Sequence, residues 1–459
     1  MKLLPSSKLD KLIYIIIFFC LSLFSYLIFK SVFFFEENRI LEYKVYLIVL
    51  GLVILIFFFI LSFHEKLKEN ILTLFFTLIL LLYAAESAML FGLLNIFNDY
   101  RSGFEAFNDE AKKFPKLVRT ISPFHHVNKL GIDIEKNEIL PLAGISNRQT
   151  MYCNENGYYT FFKSDRYGFR NPDNDENWNE SIDYLIIGDS YAFGACLNNE
   201  DTFLAQISKN TQKKLLNLSY SANGPLLEFS TIQEYFNYVQ KNNLNYPSKI
   251  VLIYAEQNDL WDLQKELKVS ILKDYLNKNK IQNIFEKQEK IDLLLLDFFE
   301  AYYETEKAKY KNNFFNDMKN FIKLQKLRVT FIVRNANLKN RLIIQRQTEK
   351  GVISEKMLSD YDYTVSKLSH YLKKFDTELI FVYMPTYLRY LDPKTSEFYK
   401  KEEILKIIKK YNLEIIDLDE ELVLIEEDPF SLFPFGNEGH FNEIGSIKAS
   451  KIISSYLLN

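Results

Sequence analysis

The sequence predicts an α/β protein, a three-layer α/β/α sandwich around a parallel sheet, preceded by three transmembrane helices. Two observations carry this. From residue 181 onward short apolar runs alternate with longer amphipathic stretches, the pattern of buried parallel strands covered by helices on both faces. Before residue 98 the chain holds three long apolar stretches and few charges, each with the roughly 20 residues needed to cross a hydrocarbon core.

The strand-like runs are IDYLIIG, KLLNLSYS, KIVLIYAE, ELIFVYMP and LEIIDLD. Between them lie TFLAQISKNTQ, LLEFSTIQEYFNYVQ, EEILKIIKKY and a terminal IGSIKASKIISSYLL, whose apolar residues recur at helical spacing. A long helical, charged stretch over 261–373, including IDLLLLDFFEAYY, interrupts the alternation. It reads as an added helical layer in preference to a lid, a substrate platform or a membrane-surface element, because its acids discourage lipid contact.

The apolar stretches run from Leu12 to Phe35, from Val45 to Phe63 and from Ile71 to Phe97. No small-residue cleavage site follows the first, so an anchor is the better reading than a signal peptide. Lys2, Lys8 and Lys11 precede it against Asp10 alone, which keeps the N-terminus in the cytoplasm. Three crossings then place the remainder outside, in the periplasm of a Gram-negative cell. The acidic loop EENRILEY fits that side. Lys30 and Glu86, near membrane depth, read as snorkelling or helix-contact residues and not as a polar path. The predicted organisation is therefore an anchor over 1–98, a linker and irregular lead-in over 99–180, and an α/β domain over 181–459.

A net charge of −3 and the lack of a basic, aromatic-interleaved cluster argue against nucleic acid. The three cysteines and five histidines show no zinc-site spacing. His125 and His126 have no further ligand at the right distance. No cofactor or metal is expected.

Open parallel sheets place their sites at the carboxyl ends of the strands. Those ends read Gly188-Asp189-Ser190, Ser221-Ala222-Asn223-Gly224 and Glu256-Gln257-Asn258-Asp259, and Gly439-His440-Phe441-Asn442-Glu443 comes just before the last helix. In that order these blocks resemble the SGNH (GDSL) hydrolase superfamily. DYLIIGDSYAFGACLNNEDTF is similar to its first block, YAEQNDL to its third and GHFNEIG to its last. SDRYGFRNP looks like the segment before the first block in many membrane-anchored members. The likeness spans about Pro141 to the C-terminus, with the insertion unmatched.

The resemblance implies a serine esterase-type hydrolase. Ser190 would be the nucleophile, needing a base because a hydroxyl is weak at its free pKa. His440 would take the proton and return it to the leaving group. The Ser190 and Ala222 backbone N–H groups and the Asn258 amide would face the oxyanion, while Asp189 would brace the turn. Two positions depart from the family. Ala222 stands where glycine is usual. Asn437 stands where an Asp three residues before the His is usual, so the orienting acid is open between Asp428 and Glu438. A domain outside the cytoplasm would permit a Cys153–Cys196 disulfide tying the lead-in to the nucleophile turn.

The implied substrate is an ester-linked acyl group at the outer membrane face, an O-acetyl group on an envelope glycan or a lipid ester. An O-acyltransferase using the same residues is one alternative, and a non-catalytic assembly protein on a hydrolase fold is another. Protein partners are left open.

Overall fold

A computed structural model describes residues 7–33, 40–90, 99, 101–122, 139–172, 178–278, 280–311, 314–328, 353–391, 399–437 and 439–458. The chain divides into two compact units: residues 1–94 with 318–328, and residues 95–317 with 329–459.

In the first unit the apolar stretches form helices Lys8–Phe33, Ile40–Ile60 and Glu65–Leu90. Ile13, Ile17, Ile54, Phe57, Ile60 and Leu72 pack them together, while Phe18, Leu55, Phe59 and Leu80 face outward. Among the described residues, Lys8–Phe33 and Glu65–Leu90 are long and apolar enough to cross a membrane, and the middle helix contributes the shorter apolar segment Tyr46–Ile60. Against the three spans expected, two candidates stand among the described residues. Glu86 makes the helix contact expected of it: its carboxylate accepts the Lys326 and Leu327 N–H groups, each at 2.8 Å. Residues 318–328 of the insertion therefore pack in this unit.

The second unit is built on a five-stranded sheet. Strands β4 (Tyr184–Gly188), β5 (Leu215–Asn217), β6 (Lys249–Ala255), β7 (Glu378–Met384) and β8 (Glu414–Asp417) are all parallel. Their order in space is β5-β4-β6-β7-β8, so the chain reverses its direction of growth at β4 and opens a crevice beside the strand that precedes Ser190. Side chains alternate between two cores, as the pleat requires. Leu185, Ile187, Leu252, Tyr254, Phe381 and Tyr383 enter one. Ile186, Val251, Ile253, Ile380 and Val382 enter the other. Helices Phe203–Thr211 and Glu443–Leu458 cover the second face. Helices Pro225–Lys241, Glu355–Leu372 and Lys401–Lys410 cover the first. Most of the insertion adds to that layer through Ile271, Leu272, Tyr275, Ile291 and Leu295.

The lead-in is not a linker. Strands β1 (Val118–Arg119), β2 (Gln149–Met151) and β3 (Phe161–Lys163) make a small second sheet. Leu140, Leu142, Phe162, Phe169 and Trp178 from this region join the main core. The SDRYGFRNP motif holds the turn that follows β4 and Ser190. The buried Arg170 guanidinium donates to the carbonyls of Gly194 at 2.6 Å and Leu197 at 2.7 Å. Burial pushes its pKa down to about 10, so it stays charged at neutral pH. Asp165 accepts from Tyr167 N, Phe169 N, Asn171 and Trp178, fixing the motif's own loop.

Candidate active site

Ser190 opens the short helix Ser190–Phe193 directly after β4. The turn needs Gly188. A Cβ there would meet Ala192 Cβ at 2.7 Å and the Ile253 carbonyl oxygen at 2.8 Å. Asp189 is fully buried and caps the helix, accepting from Tyr191 N at 2.9 Å. Burial raises its pKa, against the N–H of Tyr191, the charge of His440 and the Asn258 amide, which lower it. Its other oxygen lies 3.3 Å from Ser190 Oγ, so it braces the turn.

His440 comes from the loop before the last helix, 250 residues away in sequence, and its Nε2 lies 2.8 Å from Ser190 Oγ. Its Nδ1 faces Glu155, at 3.0 Å from Oε1 and 3.1 Å from Oε2. The same carboxylate accepts the His440 backbone N–H at 2.8 Å. Gly439 leaves room for it, because a Cβ at that position would come within 2.8 Å of Glu155 Oε2. The Tyr191 ring lies against the imidazole, with centroids 4.7 Å apart. Burial works against the imidazolium, but the charge and hydrogen bond of Glu155 and the charge of Asp189 outweigh it. The His440 pKa is raised above its ordinary value.

The carboxylate on the His440 ring is therefore Glu155, and not Asp428, one of the two acids the sequence left open. Asp428 is spent locally. It caps the short helix Pro429–Leu432 and accepts from Phe430 N at 3.1 Å. Glu438 lies outside the described residues. Asn437 is buried and donates to the Phe435 carbonyl at 3.0 Å.

Among the described residues no acceptor stands on the Ser190 or Ala222 backbone N–H. Ala222 sits after β5 with φ +64°, the left-handed region in which a glycine is at ease. Ser221 accepts from the Tyr152 hydroxyl at 2.7 Å. The Asn258 amide is held differently from the expectation. Its Nδ2 donates to Asp189 Oδ2 at 3.1 Å and to Asp262 Oδ2 at 3.0 Å. Two carboxylates accept, so the amide must turn its nitrogen to them. The backbone N–H groups are the open donors here. A left-handed alanine costs about 1–2 kcal/mol, and glycine returns about 0.5–1 kcal/mol of that as chain entropy. Ala222→Gly is thus expected to raise the melting temperature slightly while leaving the rate at which a fluorophosphonate labels Ser190 unchanged, both readable on one preparation.

Glu266 fixes the turn that holds Ala222 and Gly224. Its carboxylate accepts the N–H groups of Gly224 at 2.7 Å and Leu226 at 2.9 Å at the start of helix Pro225–Lys241. Cys153 and Cys196 form a disulfide with Cα atoms 5.0 Å apart. No group of three or more His, Cys, Asp or Glu side chains suited to a metal occurs among the described residues.

The class is that of α/β chains with a parallel sheet, with Ser190, His440 and Glu155 in hydrogen-bond sequence beside the carboxyl end of β4. No family model matches the sequence, and no curated protein matches it. Among solved structures it is similar to a protein of Desulfitobacterium hafniense DCB-2 assigned to the G-D-S-L family of lipolytic proteins. The likeness has 11% identity and a TM-score of 0.30, over 59% of this chain and 97% of that one.

Proposed function

We propose that the protein is a serine esterase-type hydrolase whose nucleophile is Ser190, with His440 as general base and Glu155 as the acid that orients it. One observation carries this: the imidazole is hydrogen-bonded on one side to a serine hydroxyl at 2.8 Å and on the other to a carboxylate at 3.0 Å. That is the arrangement that activates a hydroxyl. Glu155 fixes the tautomer with Nδ1 protonated, leaving Nε2 to take the Ser190 proton. The oxygen then attacks the acyl carbon. The developing oxyanion lies against the Ser190 and Ala222 N–H groups. His440 returns its proton to the leaving alcohol, and water repeats the sequence to free the acid.

The outward apolar faces of helices Lys8–Phe33 and Glu65–Leu90 support a membrane anchor. The Cys153–Cys196 disulfide supports an oxidising, extracytoplasmic compartment for the catalytic unit. A glycan or lipid carrying an ester-linked acyl group is the substrate class that such a location offers. The test is labelling of the folded protein with a fluorophosphonate. Wild type should be labelled, and Ser190→Ala and His440→Ala should not. Labelling that survives in Ser190→Ala overturns the assignment.

A further inference from the structure

Glu155 is an unusual place to find this acid. It does not stand beside the histidine in sequence but 285 residues earlier, in the nine-residue loop between β2 and β3. A loop tip of that length fixes a carboxylate poorly by itself, because each of its residues must be ordered at a cost of about 1–2 kcal/mol. Beside ties from Asn154 and Gly157 to Asp99 and from Tyr158 to Glu443, two ties converge on one partner. Cys153 is bonded to Cys196. Asn156 donates from Nδ2 to the Cys196 carbonyl at 3.0 Å. One tie lies on each side of Glu155, and both end on the same residue.

Cys196 in turn belongs to the nucleophile turn. The Ala195 N–H donates to the Ser190 carbonyl at 2.9 Å. Arg170 holds the carbonyls of Gly194 and Leu197 on either side of the cysteine, and Cys196 itself adopts φ +56°. The connections close a ring: Ser190 to Cys196 along the turn, Cys196 to Cys153 through sulfur, Cys153 to Glu155 along the loop, then Glu155 to His440 and His440 back to Ser190.

Resting on the esterase reading, we infer that the Cys153–Cys196 disulfide is a positioning element of the catalytic site, holding Glu155 on His440 and making the basicity of His440 depend on the oxidised pair. Reduction breaks the S–S bond. A dithiol supplies two electrons and two protons, leaving Cys153 and Cys196 as thiols and the reductant as its own disulfide. Cys196 is buried and Cys153 half-buried, so exchange starts by attack on the Cys153 sulfur with Cys196 as the leaving thiolate. The freed loop keeps its hydrogen bonds, among them Asn156 to Cys196, Asn154 to the Asp99 carbonyl, Asp99 N to the Gly157 carbonyl, Tyr158 to Glu443 and Thr160 N to the Cys153 carbonyl, but it loses the covalent tie two residues from Glu155. Glu155 then leaves the imidazole for part of the time. Burial, which disfavours the imidazolium, acts with less opposition.

The experiment measures the rate of fluorophosphonate labelling of Ser190 against pH on the full chain, oxidised and after reduction by a dithiol, at a temperature where both forms stay folded by circular dichroism. Four proteins are compared: wild type, Glu155→Gln, Asn156→Ala and Glu155→Gln with Asn156→Ala. In wild type, reduction is expected to slow labelling at least about ten-fold, a fraction of what loss of the orienting acid costs, and to move the acidic limb to lower pH. In Glu155→Gln, reduction should change the rate by less than about two-fold, since the acid it positions is gone. Asn156→Ala should give a smaller shift in the same direction, and none in the Glu155→Gln background.

An equal loss on reduction in wild type and Glu155→Gln overturns the inference, because it marks a purely structural bridge. An unmoved limb in reduced wild type overturns it as well. Should Glu155→Gln itself leave rate and limb unchanged, the reading of Glu155 as the orienting acid fails, and this inference with it. Absence of Ser190 labelling in oxidised wild type refutes the esterase reading on which both stand. Asn156→Ala leaves both cysteines in place, so it tests the coupling even if the reduced protein unfolds.

Discussion

Ser190→Ala is expected to lower turnover of an activated acetyl ester by about 10⁴–10⁶-fold, the scale on which nucleophile removal acts where serine and histidine work as a unit. Little stability should go with it. The serine is half-buried, and its hydroxyl meets only Asp189 and His440 among the described residues. The Asp189 cap on Tyr191 N survives the change, as does the glycine-dependent turn at Gly188. His440→Ala should cost a similar factor, and the double variant little more than either single one, because a base without a nucleophile has nothing to deprotonate. Turnover measured beside a thermal melt separates lost chemistry from lost fold. A Ser190→Ala protein that keeps more than about a tenth of wild-type turnover would sink the assignment, since a passive serine is the alternative.

What the sequence made legible follows from periodicity. Ser190, Ala222 and Asn258 each follow a short apolar strand, and parallel strands put such positions on one edge. The alternation that sends Leu185 and Ile186 to opposite cores is the same signal. His440 stands before an amphipathic final helix, whose buried Ala449, Ile453 and Leu457 dock it on the sheet. Glu155 had no such marker, because it sits in an aperiodic loop and meets His440 only through the tertiary fold. A clue was nevertheless present. Pairing Cys153 with Cys196 already draws the CNEN segment to the nucleophile turn, and Glu155 is the one acid in it.

Asp428 misled for a local reason. An Asp before a proline and a short turn caps its own backbone, which removes it from long-range work. Asn258 misled for another. Asp262, one helical turn onward on helix Asp259–Glu266, competes for its amide.

Glu155→Gln carries the second large effect, and it comes with a sign. The amide can still meet the ring, but it cannot stabilise the imidazolium that forms when Ser190 is deprotonated. A loss of about 10²–10⁴-fold in kcat is expected. The pH dependence is more diagnostic. Catalysis needs His440 neutral, so the acidic limb of kcat/KM reports its ionisation. In wild type Glu155 and Asp189 overcome burial and place that limb above the ordinary histidine value. Without the Glu155 charge, burial gains the upper hand and the limb moves to lower pH. Stability should follow the same proton. A histidine whose folded pKa is raised contributes stability that is fully present below its unfolded value near 6.5 and is lost as the pH rises through the folded value. The stability difference between wild type and Glu155→Gln should therefore be larger at pH 5.5 than at pH 9, by denaturant titration at both. Asp428→Asn is the control and should leave limb and rate in place, since its carboxylate serves Phe430. A limb that moves with Asp428→Asn and stays fixed with Glu155→Gln would return the orienting role to the acid nearer in sequence.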